Sequence, residues 1–292
     1  FMHAELPLNQ GQQKDDDAKN ILVVGDIHGC MVELQSLLEK AVREYNDGRP
    51  FSFIILVGDL CNKGPQSAEV IRWARSTPNV LTVRGNHDDG ALEAALGDAV
   101  RRKKEKYQWV MAGELESHLL PAATSSDRIV LSDSDVAWLA ELPYTLTIPG
   151  WYLGQPQDTI IVHAGLIPKL PLEQQSIATM ITIREVLPIC DKVGVVTHFE
   201  YHERQKGKPT NDGPEVICGV PSPWAKAWNG PQRVIFGHDA RRGFQRYKGN
   251  HAIGLDTGAV YGKELTGLIL PGETLVSVPS RPYSRVDKSD GR

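Results

Sequence analysis

The sequence predicts an α/β fold, one domain in which parallel strands are packed between layers of helices, and two observations predict it. Short apolar runs alternate with helical patterns through the first hundred residues. Several of those runs also stop at a glycine beside an acid or a histidine, as strands do when they open into a loop.

The first run is Asn20-Ile-Leu-Val-Val-Gly25, a buried strand. A helix follows it, with Val32, Leu34, Leu37, Leu38 and Val42 expected on its inner face. Residues 51–58 give a second buried strand, 68–74 a second helix and 79–83 a third strand. Strand, crossover helix and strand in this order place the strands parallel. Residues 88–120 read as mostly helical, and a further helix over 134–142 is expected to take Ser134 or Asp135 as its cap. The basic run Arg101–Lys104 reads as a solvated helix face whose position also lets it guide a polyanion. Strands are expected at 144–148, 159–162, 233–236 and 252–255, with a hairpin of 265–270 and 274–278 around Pro271-Gly272. The polar stretch from His198 to Gly219 reads as a loop or extended hairpin able to act as a lid. Residues 1–19 and 283–292 read as polar tails on a single domain spanning 20–282.

Composition narrows the function classes. A net charge of −4 gives no global reason to bind nucleic acid or a membrane, so any anion site must gather its positive charge locally. No apolar run reaches the ~20 residues of a membrane span, and no secretory signal is read at the N-terminus. The cysteines Cys30, Cys61, Cys190 and Cys218 form no CxxC pair and read as apolar fillers in a reducing compartment. A cytoplasmic monomer is the expectation.

The chemistry gathers where strands end. The clusters are Gly25-Asp-Ile-His-Gly29, Gly58-Asp-Leu-Cys-Asn-Lys-Gly-Pro65, Arg84-Gly-Asn-His-Asp88, Val162-His-Ala-Gly165 and Gly237-His-Asp239. Each puts a metal-ligand residue type beside a glycine just past a strand, where open α/β sheets bind ligands. Any one of them alone is an ordinary turn or cap. Together they supply Asp, His, Asp, Asn, His and His, a donor mix suited to Mn²⁺, Fe or Zn²⁺ and unsuited to Ca²⁺.

These five blocks, in this order, resemble those of the calcineurin-like metallophosphoesterases, and they span Gly25 to Ala240. The resemblance implies a β-sandwich of two mixed sheets flanked by helices, four layers in the order α-β-β-α. It also implies two divalent metals, Mn²⁺ first, with Fe, Zn²⁺, Co²⁺ or Mg²⁺ as alternatives. Asp26 and His28 would hold one metal, Asp59 would bridge, and Asn86, His163 and His238 would hold the other. A hydroxide between the metals would attack phosphorus while His87 acts as general acid toward the leaving oxygen. Lys63, Arg84 and Arg184 are the candidates for binding substrate phosphates; for Arg184 a solvated helix arginine is the competing account.

Asn62-Lys63-Gly64-Pro65 and Asp88 depart from the pattern of the family's protein phosphatases. They look more like the bis(5′-nucleosyl)-tetraphosphatase and ApaH-like branch. A dinucleoside polyphosphate is therefore the expected substrate. A Ser/Thr protein phosphatase and an endopolyphosphatase or RNA-cap pyrophosphatase are the alternatives, with RNA cap or polyphosphate as partner. Asn62 cannot serve as the carboxylate that orients the acid histidine, which leaves Asp88 or Asp239 for that role, or a less strongly tuned His87. Asp256 is expected to support the site without ligating. Trp224 and Trp228 precede the last block; they either pack as ordinary amphipathic aromatics or stack on a base.

Overall fold

The computed structural model describes residues 2–8, 20–107, 109–110, 131–202, 216–247 and 251–284. Two mixed sheets face each other. The first, by position, runs β1 (His3–Glu5), β5 (Thr145–Ile148), β6 (Thr159–Val162), β11 (Arg233–Phe236), β13 (Ala252–Gly254) and β12 (Gln245–Arg246). The second runs β15 (Thr274–Pro279), β14 (Glu264–Leu270), β2 (Ile21–Val24), β3 (Phe53–Leu56) and β4 (Val80–Thr82). The crossovers joining β2, β3 and β4 are helices α1 (Met31–Tyr45) and α2 (Ser67–Ser76), and both pairings are parallel, as the alternation predicts.

Strand β2 shows why these runs are apolar without alternation. Ile21 and Val23 pack into the layer between the sheets with Ile161, Ile235 and Ile253. Leu22 and Val24 point the other way, under the helices with Leu34, Leu37 and Val70. A strand buried on both faces has no polar side to show. On the far side of the first sheet, Ile160, Val162 and Val234 pack with Met180, Trp224 and Trp228. The layers are therefore helix, sheet, sheet and a covering layer.

Several local expectations need correction. Val32 is 53% exposed; the inner face of α1 uses Met31, Leu34, Leu37 and Ala41. It also buries Glu33, whose carboxylate accepts from the Tyr283 hydroxyl at 3.0 Å. The helical region after Arg84 breaks into α3 (Asn86–Ala95) and α4 (Ala99–Arg102), and the rest of that expectation lies outside the described residues. Helix α5 (Asp133–Glu141) is capped by Ser132, with Asp135 completing the capping box from the third helical position. Residues 3–5, read as tail, form an edge strand parallel to β5. Tyr283, also read as tail, is anchored by its backbone N–H to Val260 O at 3.0 Å.

A third, small sheet was not foreseen. It runs β10 (Ser222–Pro223), β7 (Glu185–Cys190) and β8 (Val196–His202), with β9 (Val216–Ile217) also on β7. Helix α6 (Ile177–Thr182) leads into it and α7 (Trp224–Ala227) leads out. Here Cys190 and Cys218 are joined as a disulfide, so the reading of four filler cysteines fails for this pair. The inference from cysteine usage to a reducing compartment loses its premise. Cys30 and Cys61 are free and buried. The centre of the expected lid, residues 203–215, lies outside the described residues.

Candidate metal centre

All five polar clusters come together at the carboxyl ends of β2, β3, β4, β6 and β11, so both sheets contribute. The loops are tightly bent. His28, Asp59, Asn62, Lys63 and His238 all have φ between +49° and +71°, a left-handed conformation that non-glycine residues seldom adopt. Loop-to-loop hydrogen bonds hold it: Asp59 O accepts from His28 N at 2.8 Å, and His28 O from Gly64 N at 2.9 Å. Such strain gathers at functional sites. Two glycines permit the close approach. A Cβ on Gly85 would lie 2.2 Å from Asp59 Oδ1, and one on Gly237 would lie 2.0 Å from Asp26 Oδ1.

Hydrogen bonding decides which atoms face the centre. His163 Nδ1 is 2.9 Å from the Val57 carbonyl oxygen, and His28 Nδ1 is 3.0 Å from that of Cys61. A carbonyl only accepts, so each Nδ1 carries the proton and each Nε2 presents a lone pair. Those lone pairs face the same carboxylate, His163 Nε2 at 3.4 Å from Asp59 Oδ1 and His28 Nε2 at 3.5 Å from Oδ2. Nearby, Asn86 Oδ1 lies 3.0 Å from both His163 Nε2 and His238 Nδ1. Among the described residues, His238 Nε2 is buried without a hydrogen-bond partner. Lone pairs turned onto a carboxylate repel it unless cations lie between them. The donor set therefore fits divalent metals.

Charge agrees. Burial drives His28 down to about 3, and it also lowers His163 and His238, which keeps the imidazoles in the neutral form that ligates. Burial, with Asp256 and Asp59 nearby, pushes Asp26 well above the usual carboxylate range. Burial acts to raise Asp59, yet its carboxyl is held below the usual range, with the Lys63 ammonium among the groups that hold it down. Asp256 is pushed up to about 6, chiefly by burial.

The donors form two compact groups, Asp59 with His163 and His238, and Asp59 with His28 and His87. The second brings His87 beside Asp59 and His28, and Asp26, the expected ligand of that metal, lies outside both groups. Asp26 accepts from the His238 backbone N–H at 3.1 and 3.0 Å, which ties the first and last clusters together. His87 sits edge-on to His28 with ring centroids 4.8 Å apart, and burial leads the effects that hold it well below the usual histidine value. Neither acid offered as its orienting group serves. Asp88 accepts from Leu60 N at 2.9 Å and Gly85 N at 3.0 Å, while Asp239 pairs with Arg242. The group beside His87 Nδ1 is Asn62 itself, its amide nitrogen at 3.0 Å.

The basic candidates separate. Lys63 acts on Asp26, Asp59 and every histidine of the centre, and its ammonium donates to Tyr261 Oη at 2.8 Å. Arg184 lies just before β7, not on a helix, and donates to His238 O at 3.2 Å. Arg84 is a correction. It is buried and donates to Tyr144 Oη at 2.9 Å and Ala140 O at 2.6 Å, so it braces the fold. Trp224 and Trp228 are buried and donate to Ala164 O and Gln232 O, which leaves ordinary packing as their account. Arg101 pairs with Glu93 and Arg102 donates to Ala94 O, capping α3. Trp109, Tyr261 and Arg242 were missed; none lies in a strand-end block, and no sequence signal marks them.

A model of the calcineurin-like phosphoesterase family matches residues 19–242. The chain belongs to this family. Its relatives include the symmetrical bis(5′-nucleosyl)-tetraphosphatase of Methylobacillus flagellatus, 30% identical over 290 residues, with 92% of this chain and 98% of that protein covered. The asymmetrical bis(5′-nucleosyl)-tetraphosphatase of Bacillus subtilis is 28% identical over 275 residues, with 89% and 95% covered. A crystal structure provisionally described as a diadenosine tetraphosphatase superposes with a TM-score of 0.63 at 30% identity, covering 96% of this phosphoesterase and 98% of that chain. This phosphoesterase is thus a hydrolase of a family that uses divalent metals. Among the described residues no helix is long and apolar enough to cross a membrane.

Proposed function

We propose that this phosphoesterase hydrolyses a phosphoanhydride bond in a dinucleoside polyphosphate such as diadenosine tetraphosphate. The observation that carries the reading is the pair of imidazole lone pairs turned onto the two oxygens of Asp59, with Asn86 and His238 alongside. Asp26, His28, Asp59, Asn86, His163 and His238 would hold a divalent pair, Mn²⁺ by preference, and Asp26 also accepts from the His238 backbone N–H. When bound, the metals would supply positive charge to the phosphoryl oxygens and make water a stronger nucleophile.

The protein's own side chains do the rest. Lys63 and Arg184 place cationic groups beside the centre, where they bind and orient the polyphosphate. His87 offers a ring N–H to the leaving oxygen. Relatives named as symmetrical and as asymmetrical bis(5′-nucleosyl)-tetraphosphatases support the substrate class.

The test is turnover by metal-stripped protein on adding back Mn²⁺, Co²⁺, Zn²⁺ or Mg²⁺. The substrates are diadenosine tetraphosphate, capped RNA, long-chain polyphosphate, a phosphoserine peptide and p-nitrophenyl phosphate. Metal-dependent release of nucleotides, fastest from the dinucleotide, is expected. Preference for the phosphopeptide would overturn the reading in favour of a protein phosphatase, and preference for cap or polyphosphate would reassign the substrate.

A further inference from the structure

Asn62 sits where a carboxylate was sought, and its contacts fix which way its amide points. Its Oδ1 lies 2.5 Å from Trp109 Nε1, and an indole nitrogen can only donate. Its Nδ2 lies 3.4 Å from the His87 carbonyl oxygen, which can only accept. Two independent partners thus agree on the orientation. The same Nδ2 is 3.0 Å from His87 Nδ1, so the amide donates and Nδ1 accepts. Asn62 is fully buried and His87 nearly so, which leaves no room for water to relax this polarity.

We propose that Asn62, held by Trp109, is a positioning residue that fixes His87 as the tautomer with its proton on Nε2. An aspartate at the same place would accept a hydrogen bond and draw the proton to Nδ1. The inference rests on the phosphoanhydride reading, and it bears on substrate class. During cleavage the electron pair of the P–O bond goes to the leaving oxygen, which accepts a hydrogen bond from Nε2–H. The ring keeps its proton, and the proton lost by the attacking water goes to solvent. A hydrogen bond suffices for a departing phosphate, whose second pKa is about 6. It does not suffice for a serine alkoxide, which must take a full proton. The Trp109–Asn62–His87 chain therefore selects for weakly basic leaving groups.

The experiment uses ¹⁵N-labelled full-length protein, metal-free and loaded with diamagnetic Mg²⁺ or Zn²⁺. Long-range ¹H–¹⁵N correlation shows which ring nitrogen is protonated, with the His87 signals identified by their loss in His87→Gln. The wild type should show the proton on Nε2, Asn62→Asp should move it to Nδ1, and Trp109→Phe should give a mixture. A proton on Nδ1 in the wild type, or no change in Asn62→Asp, would overturn the proposal. In kinetics, Asn62→Asp, by taking the proton from Nε2, should lower the rate on phenyl phosphate relative to p-nitrophenyl phosphate by about 10-fold. A merely structural role would depress both equally, and that outcome also overturns the proposal. Absence of turnover on every anhydride would sink the functional reading while leaving the tautomer measurable.

Discussion

Asp59 is the residue on which the centre depends, because both histidine lone pairs converge on it and its Oδ1 also accepts the His87 backbone N–H at 2.9 Å. Asp59→Asn preserves shape and removes the charge. Bound metal, measured by elemental analysis, should fall to a small fraction of wild type, and turnover should drop by at least about 10²–10³-fold. The far-UV circular dichroism should be unchanged. The two basic residues give a contrasting pair. Lys63→Ala should raise KM about 10-fold with less effect on stability, since the ammonium acts on the centre. Arg84→Ala should instead lower unfolding stability by about 2–4 kcal/mol, because it strips buried partners from Tyr144 and Ala140. Denaturant titration and steady-state kinetics, run side by side, separate the two roles.

At the scale of elements, helix α5 is fastened through one carboxylate. Asp135 closes the capping box with Ser132, and its buried side chain meets Arg75 at 3.0 Å and Arg72 at 3.3 Å. Burial alone would raise its pKa, but the Ser132 hydrogen bonds and the two arginines hold it below the usual value. A carboxyl depressed in the folded state stabilises fully above its unfolded pKa, near ~4, and loses that contribution as pH falls through the folded value. Asp135→Ala should therefore cost about 1–3 kcal/mol at pH 7, with the arginines' partial exposure screening part of the pairing. The gap between variant and wild type, read from melts at a series of pH values, should shrink below about pH 4. The cap itself was misplaced from sequence because Ser132, Ser134 and Asp135 all satisfy the local rule. Only the arginines of α2 show which acid turns inward.

On the scale of the whole molecule, two sheets converge on one edge, and a small third sheet, with Arg184 just before β7 and Trp224 just after β10, flanks the centre. That sheet is stapled by Cys190–Cys218, whose sequence separation is 28. Thiol titration of the denatured, unreduced protein should find two reactive cysteines, Cys30 and Cys61, and four after reduction. Cys218→Ser should lower the melting temperature by a few degrees, as loss of a loop-closing crosslink does. Four thiols before reduction would restore the reading of isolated fillers.

The sequence by itself determined the strands that carry the centre and the ligand residue types. Strands such as Thr159–Val162 and Arg233–Phe236 were legible because burial on both faces demands an apolar run, here residues 160–162 and 234–236. The strand-end blocks were legible because metal ligation requires particular side chains beside glycines that let backbones close in. Tertiary structure alone decided the rest. Val32 faces solvent, and Arg84 faces the fold because Tyr144, 60 residues along the chain, accepts from it. Asn62 reads as a lost carboxylate until Trp109, 47 residues away, fixes which end of its amide meets His87. Cys190 and Cys218 pair because β9 folds back on β7. Residue identity sets which groups can donate, accept or ligate, and long-range packing sets which of them meet.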